Sequence, residues 1–597
     1  MTDPTPAPAH PPRRGLLDLI ERVGNALPEP ALLFALLAAI VIAVSAVGSA
    51  LGWKVQPVQP RVVMVEEVNQ AGEKVMVPKR DANGRPEVEL VETGAPIAPK
   101  SLLTSEGIYW MLSSMLRNFT GLPALGLIFV AMLGIGLAEK FGFFGAMMRS
   151  LALATPKWLL TPTIVFLGSN SSVASDAGYI ILPPLAAALY MTMGRPPVAG
   201  LAAAFAGVAG GFGAGFFPTG GDGVVAGFAQ DAARVIDPSY SVGILHNLYF
   251  KSGSVIVITL AGWWVTDWIV EPRLRRAGMT GALEGPAASD LALTPEEKRA
   301  LRMSLAGMVA VLGIFGALIF VPGAPLHGVG QPTLANGSVL LSHPITISPA
   351  DAPVAVPAHD VLAKDPFIVA EAPARSRLQE TPGDRWSHVI VPIIFLAFLV
   401  PGLIYGRMTG AVKSQKDVIE GFYHGIRSIV PVLAIAFFMG QFVNYFAYTG
   451  LDRMLAYAGG SLLVTADLPV PMLIVLFVAL VVFGDFAISG MLSKFGVLAP
   501  IFIPMFMMVG KSPELTTAAY RIGDSVVNII TPLNSYLLII LVVLQKYKKE
   551  AGLGSLISLM LPYSIAFGLA WTAFLVAWFM LGFDLGPKAP VNYVPPF

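Results

Sequence analysis

The chain has 597 residues and a formal net charge of +1, with 55% hydrophobic and 13% charged residues and a mean hydropathy of +0.69. A soluble domain carries about 25% charged residues, so the composition excludes an ordinary soluble protein, and the balanced charge gives no reason to expect a nucleic-acid partner. The absence of cysteine excludes disulfides, thiol catalysis and zinc–thiolate sites.

In chain order, residues 1–29 read as a retained cytoplasmic tail. A Pro-rich start leads to Arg13 and Arg14 and an amphipathic stretch, without the cleavage site of a signal peptide. A first span occupies 30–53, and the Val-, Glu- and Pro-rich segment 54–100 is long enough for a small strand-rich periplasmic flap. Residues 101–240 hold a span at about 122–137, a helical hairpin at about 159–192 and an interrupted span at about 199–227. The interruptions fall at Gly207-Val-Ala-Gly-Gly-Phe-Gly213 and Pro218-Thr-Gly-Gly-Asp222. Residues 241–322 hold two spans, about 246–270 and 303–322, around a basic cytoplasmic loop. A periplasmic loop follows over 323–386, then a span and a cytoplasmic loop over 387–426. Residues 427–550 hold a span at about 428–448, a second hairpin at about 470–509 and a span at about 515–544, interrupted at Thr531-Pro-Leu-Asn-Ser535. Residues 551–597 hold the last span and a periplasmic C-terminus.

The hairpin expectation rests on Gly168-Ser-Asn-Ser-Ser-Val-Ala-Ser-Asp-Ala-Gly178, a polar stretch inside an apolar run. Backbone leaves the helix at membrane depth only where protein or a water-filled cavity satisfies it. The same region repeats without a gap: Gly168, Pro184, Gly194, Pro197 and Gly207 fall on Gly484, Pro500, Gly510, Pro513 and Gly523, each 316 residues on. Arg195 meets Lys511 and Tyr179 meets Phe495 at the same offset. The basic short loops (Arg149, Arg195, Arg273, Arg275, Arg276, Arg407, Lys413, Lys546, Lys548) then share one side, the cytoplasmic one by the positive-inside rule. The fold class is an all-α polytopic protein of the inner membrane, with nine transmembrane helices, two opposed re-entrant helical hairpins, interrupted helices and an inverted repeat. Repeats with discontinuous helices point to a secondary transporter whose site lies between them.

Three stretches carry a family resemblance: the 168–190 segment, the run Leu498-Ala-Pro-Ile-Phe-Ile-Pro-Met-Phe506, and Ala518-Ala-Tyr-Arg-Ile-Gly-Asp-Ser525 followed by Thr531-Pro-Leu-Asn-Ser-Tyr536. The chain resembles the AbgT family of p-aminobenzoyl-glutamate transporters over about residues 15–585. The resemblance implies a homodimer and passage of p-aminobenzoyl-glutamate or related aminobenzoates, with export of sulfonamide drugs in some members. It places functional positions at Asp176, Pro513, Arg521, Asp524 and Pro532. Where the family usually carries Ser-Ala-Lys-Trp at the second hairpin tip, this chain has Leu492-Ser-Lys-Phe495, preceded by Gly484-Asp485.

Each residue has a functional and a bland reading. Asp176 lines a polar pathway or caps the second half-helix. Arg521 and Asp524 share a helix face, either as an ion pair neutralising two buried charges or with Arg521 receiving a substrate carboxylate. Tyr179 and Phe495 are the aromatic surface for a substrate ring. Ser169, Asn170 and Ser171, with Asn534 and Ser535, offer oxygen ligands to a sodium ion, or satisfy the broken backbone. Asp176 and Asp524 also suit a coupling ion, sodium or proton. Pro513 and Pro532 flank the interrupted helix as punctuation or hinge. Asp485 and Lys494 are expected to reach the outer interface, and His246, His388 and His424 to lie near helix ends as interfacial residues.

The function this supports is ion-coupled transport of p-aminobenzoyl-glutamate or a relative, without a cofactor other than a sodium ion. The alternatives are transport of another small carboxylate, a membrane hydrolase and a passive channel. The hydrolase lacks His-Glu-x-x-His and Gly-x-Ser-x-Gly motifs, no filter sequence suggests a channel, and no P-loop points to ATP.

Overall fold

The computed structural model describes residues 30–62, 64–68, 74–78, 88–92, 94–174, 177–238, 240–278, 292–327, 389–466, 468–486, 488, 490–534 and 536–593, with short strands between 338 and 371. The tail 1–29, most of the loop 323–386, Asp176, Ser535 and His388 lie outside the described residues.

In chain order the helices are α1 Pro30–Ala50, α2 Ser105–Thr120, α3 Pro123–Lys140, α4 Phe143–Ala154, α5 Leu160–Asn170, α6 Ala177–Thr192, α7 Pro197–Phe205, α8 Gly220–Ala233, α9 Leu248–Trp264 and α10 Glu271–Arg276. They continue as α11 Pro295–Phe320, α12 Ile390–Met408, α13 Gln415–Thr449, α14 Leu451–Ala466, α15 Val470–Gly484, α16 Met491–Met508, α17 Pro513–Val527, α18 Tyr536–Tyr547 and α19 Leu553–Leu581. Strands occupy part of the expected flap: β1 Val58–Val62 pairs antiparallel with β4 Val88–Glu92, and β2 Met64–Val68 with β3 Lys74–Pro78. The all-α description therefore holds for the apolar part of the chain and not for this flap. Helices α2, α4 and α14 stand where the sequence pattern assigned none. In α2 and α14 the apolar residues are interleaved with polar ones, and α4, though mostly apolar, has only 12 residues, so none has the continuous run that marks a span.

Among the described residues, seven helices are long and apolar enough to cross a membrane: Ala31–Ala50, Leu248–Arg276, Pro295–Phe320, Ile390–Met408, Gln415–Thr449, Met491–Met508 and Leu553–Leu581. An eighth is gained if the bent pair Phe129–Lys140 and Phe143–Ala154 forms one span. The expected count of nine included two composite spans, α7 with α8 and α17 with α18. Each half falls short of the roughly 20 residues a bilayer needs. Conversely α16, read as one limb of a hairpin, is itself long enough.

The chain divides into two compact units, one of 1–128, 144–294 and 428–594, the other of 129–143, 295–427 and 595–597. In the smaller unit α11 lies along α12, where Gly307 admits the Ile404 side chain. Leu137, Phe141 and Val412 form its buried core with Leu399 and Phe422 against them. Glycines at 134, 136 and 425 bring backbones together there, a packing mode that small residues permit in lipid.

The larger unit holds both sequence repeats, and the offset of 316 reappears in its elements. Helices α6 and α16 end at Thr192 and Met508, α7 and α17 begin at Pro197 and Pro513, and α8 and α18 begin at Gly220 and Tyr536. The turns before α7 and α17 use Gly194 and Gly510 with φ of +68° and +72°, a left-handed conformation that favours glycine. Equivalent contacts recur as well. A Cβ on Gly207 would lie 2.6 Å from the Val165 carbonyl, and one on Gly523 would lie 2.6 Å from the Val481 Cβ. Residues 161 and 190 touch through a 2.6 Å hydrogen bond between Thr161 and Tyr190. Their counterparts Phe477 and Phe506 touch edge-on, with ring centroids 5.2 Å apart. Ring contacts also cross between the two stretches: Tyr179 of α6 stacks on Tyr536 of α18 at 4.0 Å, and Phe495 of α16 lies parallel to Phe228 of α8 at 6.4 Å.

Candidate functional site

The site grows from the places where helices stop. Helix α5 ends in Gly168, Ser169 and Asn170, a 3₁₀ turn follows over Ser171–Ala174, and α6 resumes at Ala177. Helix α7 loosens into a π turn over Ala206–Gly210, and the chain stays non-helical to Thr219. There Thr219 caps α8 in a capping box: Asp222 Oδ2 accepts from the Thr219 N–H at 2.7 Å, and the Thr219 hydroxyl accepts from the Asp222 N–H. Helix α17 begins with Ser512 as its cap, accepting from the Leu515 N–H at 3.1 Å, and with Pro513 in its first turn, where a missing N–H costs nothing.

These ends converge on a buried set of charges. Asp222 receives Lys251 of α9 at 2.6 Å on one oxygen and Arg521 of α17 at 2.7 Å on the other. Arg521 Nε also donates to Asn247 Oδ1 at 3.1 Å, and Asn247 in turn donates to the Glu514 carbonyl at 2.9 Å. On the next turn of α17, Asp524 pairs with Lys494 at 2.6 Å, and Lys494 is also paired with Asp485. The Tyr520 hydroxyl donates to the Met491 carbonyl at 2.5 Å and lies 3.3 Å from Asp524 Oδ1. All six charged side chains are at most 5% exposed.

Isolated charges at such depth would each cost several kcal/mol. The cluster avoids this by composition. Asp222 with Lys251 and Arg521 carries one excess positive charge; Asp485, Lys494 and Asp524 carry one excess negative charge. Helix α17 contributes one member to each group, so the whole is neutral while neither half is. One carboxylate oxygen of Asp485 and one of Asp524 remain buried without a hydrogen-bond partner among the described residues.

The structure redistributes several expected roles. Arg521 and Asp524 do lie on one face of α17, but each takes its partner from another helix, so the expected Arg521–Asp524 pair is replaced by Arg521–Asp222 and Asp524–Lys494. Asp485 and Lys494 do not reach an interface: they are 1% exposed, held inward by Asp524. His246 is also buried, its Nδ1 2.9 Å from the Gly243 carbonyl, because the turn before α9 folds under the cluster. His424 stays half-exposed, 3.8 Å from Glu139.

The Ser and Asn side chains engage backbone. Ser169 and Asn170 donate to the Phe166 carbonyl at 3.0 and 2.9 Å, and Ser171 to Gly168 at 2.6 Å. Asn534 donates to the Asn528 carbonyl at 2.7 Å and accepts from the Tyr536 N–H, closing the break that contains Pro532. Asn170 Oδ1 accepts from the Phe216 N–H at 3.1 Å, tying the first hairpin to the loop before α8. Phe495 sits beside the charge cluster, 4.6 Å from the Tyr520 ring, whereas Tyr179 packs against Tyr536 at the other break.

Sequence reasoning passed over Asp222, Lys251 and Asn247. The available signal was an ionisable residue in an apolar setting: Lys251 interrupts the 246–270 run, and Asp222 ends a Thr-Gly-Gly-Asp capping pattern.

Comparison with known proteins agrees with this architecture. The family model described as "AbgT putative transporter family" matches residues 15–347 and 366–593. The p-aminobenzoyl-glutamate transport protein of Escherichia coli (strain K12) is 30% identical over 572 residues, 95% of each chain. The crystal structure of the Alcanivorax borkumensis YdaH transporter superposes with a TM-score of 0.73 at 30% identity, covering 94% of this chain and 100% of that one. MtrF of Neisseria gonorrhoeae, described as illuminating a class of antimetabolite efflux pumps, superposes with a TM-score of 0.74 at 33% identity, covering 96% and 100%. Similar over nearly its whole length to these transporters, the chain is a multi-span membrane protein that belongs to the AbgT transporter family.

Proposed function

We propose that this protein is a secondary active transporter that moves p-aminobenzoyl-glutamate or a related aminobenzoate across the inner membrane by alternating access, driven by a sodium or proton gradient. The observation that carries the reading is Arg521, a buried guanidinium between two helix breaks, held by Asn247 and by an exchangeable carboxylate, Asp222. A substrate carboxylate competes with Asp222 for the same planar fork. Phe495 and Tyr520 supply the aromatic surface beside it, and Asp524, with one oxygen unpartnered among the described residues, is the coupling carboxylate together with Asp176. Pro513 and Pro532 bound the hinged segment. Ser169, Asn170, Ser171, Asn534 and Ser535 are the oxygen donors for a coupling sodium ion.

The same reading takes α5 with α6 and α15 with α16 as opposed re-entrant hairpins of an inverted repeat, in a homodimer with nine spans per subunit, a cytoplasmic N-terminus and a periplasmic C-terminus. Coincident helix ends and recurring contacts at the 316 offset support it. The name of the Escherichia coli relative supports the substrate, and the efflux description of MtrF supports export; export of sulfonamide drugs rests on the family resemblance alone. Transport of another small carboxylate is favoured only by Phe495 standing where the family usually has tryptophan.

The test is counterflow of radiolabelled p-aminobenzoyl-glutamate in proteoliposomes, with sodium and pH gradients imposed separately. Accumulation under one gradient, reduced at least tenfold in Arg521→Lys, is expected; absence of both counterflow and binding would remove the aminobenzoate reading. Cysteines introduced at Arg149, Arg195 and Lys511 and labelled with an impermeant maleimide test the topology. Labelling of positions 149 and 511 from the same side would refute the inverted repeat.

A further inference from the structure

We infer that the groove between α10 and the start of α19 binds the headgroup of an anionic phospholipid, with an acyl chain laid along Trp264 and the outer face of α19. A cavity of about 400 Å³ is lined by Arg273, Lys548, Ser555 and Ser558. A second, of about 540 Å³, shares Arg273 and Ser558 with it and continues along Trp264, Leu561, Ile565 and Leu569. The polar end thus offers two cations and two hydroxyls, and the apolar end is an open wall whose large side chains face outward.

Among the described residues the cations at the polar end are uncommitted. Glu271 is the acidic residue on α10 itself, and both its oxygens are taken. Arg195 donates to Oε2 at 2.5 and 2.8 Å, and Arg275 donates to Oε1 at 2.5 and 2.9 Å. Arg273 makes only a 3.4 Å contact to the Ser558 hydroxyl, and among the described residues neither it nor Lys548 has a carboxylate partner, exposed Glu550 included. Pro562 adds to the polarity: lacking an N–H, it cannot bond the Ser558 carbonyl one turn earlier. From Ser558 to Leu569 the helix rises about 16 Å, room for roughly a dozen acyl carbons. Basic pockets at the ends of membrane helices select acidic headgroups over zwitterionic ones, and the apolar wall distinguishes a lipid from a free anion.

The full chain, purified and stripped of lipid, is titrated with phosphatidylglycerol, with phosphatidylcholine of the same chains, and with inorganic phosphate, following lipid adducts by native mass spectrometry and the melting temperature. Phosphatidylglycerol is expected to bind about tenfold more tightly than phosphatidylcholine and to raise the melting temperature, with phosphate giving neither effect. The preference should vanish in Arg273→Gln/Lys548→Gln and persist in Arg275→Gln, whose charge is already matched. Equal binding of the two lipids, equal protection by phosphate, or a preference unchanged in the folded double variant overturns the assignment. Should the double variant not fold, Arg273→Gln alone must reduce the preference, and no reduction overturns it equally.

Discussion

The two stretches of the larger unit related by the 316 offset share helix ends and almost none of their chemistry. Glycines and prolines recur in register, so helices stop, turn and approach at the same places. Apart from Arg195 and Lys511, the charges do not recur. Asp485, Lys494, Arg521 and Asp524 of the second copy fall on Ser169, Gly178, Phe205 and Val208 of the first. Conversely Asp222 and Lys251, which complete the network, fall on Leu538 and Phe567. At the hairpin bases the asymmetry reverses. Thr161, Tyr190 and Arg195 form a polar network with Asp267 and Glu271, whereas Phe477, Phe502 and Phe506 form an aromatic cluster. Close approach recurs at Gly207 and Gly523, where packing tolerates little change. The six charged residues of the site have no charged counterpart at the 316 offset.

The comparison is broken most forcefully at the second tip. Lys494→Ala leaves Asp485 and Asp524 buried together without a cation, a loss of about 3–5 kcal/mol. At the first tip Lys494 has only Gly178 as its counterpart, and Ser169→Ala, at the position equivalent to Asp485, removes one hydroxyl-to-carbonyl bond and costs about 1 kcal/mol. Thermal unfolding of the two purified variants gives the ratio. Comparable losses would mean that the charge at the second tip has no special structural weight. A second pair separates backbone approach from sequence identity. Gly168 and Gly484 are equivalent, yet a Cβ on Gly168 would lie 2.8 Å from the Gly207 backbone while one on Gly484 meets nothing within 4 Å. Gly168→Ala is expected to destabilise by about 1–3 kcal/mol through overpacking, and Gly484→Ala by less than about 0.5 kcal/mol. A fluorescence-detected melting series on membrane extracts distinguishes them, and an equal effect would show that both glycines serve the same contact.

The sequence made the helix breaks legible because Gly, Pro, Ser and Asn have few uses inside an apolar run. The repeat was legible because those residues cannot be exchanged without moving backbone. Arg521 and Asp524 were legible as ionisable groups at depth. Their partners were not: spacing along α17 puts the two side by side, but Asp222 and Lys494 come from elements far away in sequence and arrive by tertiary packing. Lys494 and Asp485 looked like tip residues free to reach the surface, and only their closeness to α17 shows why they turn inward. Helices α2 and α14 escaped notice because polar residues break their apolar runs, and α4 because it is short, whereas each span holds a long apolar window.

The last comparison probes the start of α5 and the end of α6, where Thr161 and Tyr190 stand opposite the aromatic pair Phe477 and Phe506. The Thr161 hydroxyl donates to Asp267 Oδ1 at 2.9 Å and accepts from Arg195 Nη1 at 3.0 Å, so the Tyr190 hydroxyl must be the donor in their 2.6 Å bond. Tyr190→Phe removes that one donor. It leaves Thr161 with its other two partners, and it keeps the ring under the Arg195 guanidinium, 4.2 Å from the ring centroid. The expected loss is about 0.5–1 kcal/mol. Thr161→Val at the same site strips a hydrogen-bond partner from Asp267, Arg195 and Tyr190 at once and is expected to cost more, about 1–3 kcal/mol. The order of the two melting temperatures is therefore fixed in advance. A Tyr190→Phe variant less stable than Thr161→Val would place the weight of this junction on the tyrosine hydroxyl, and the polar base of the first hairpin would no longer be centred on Thr161.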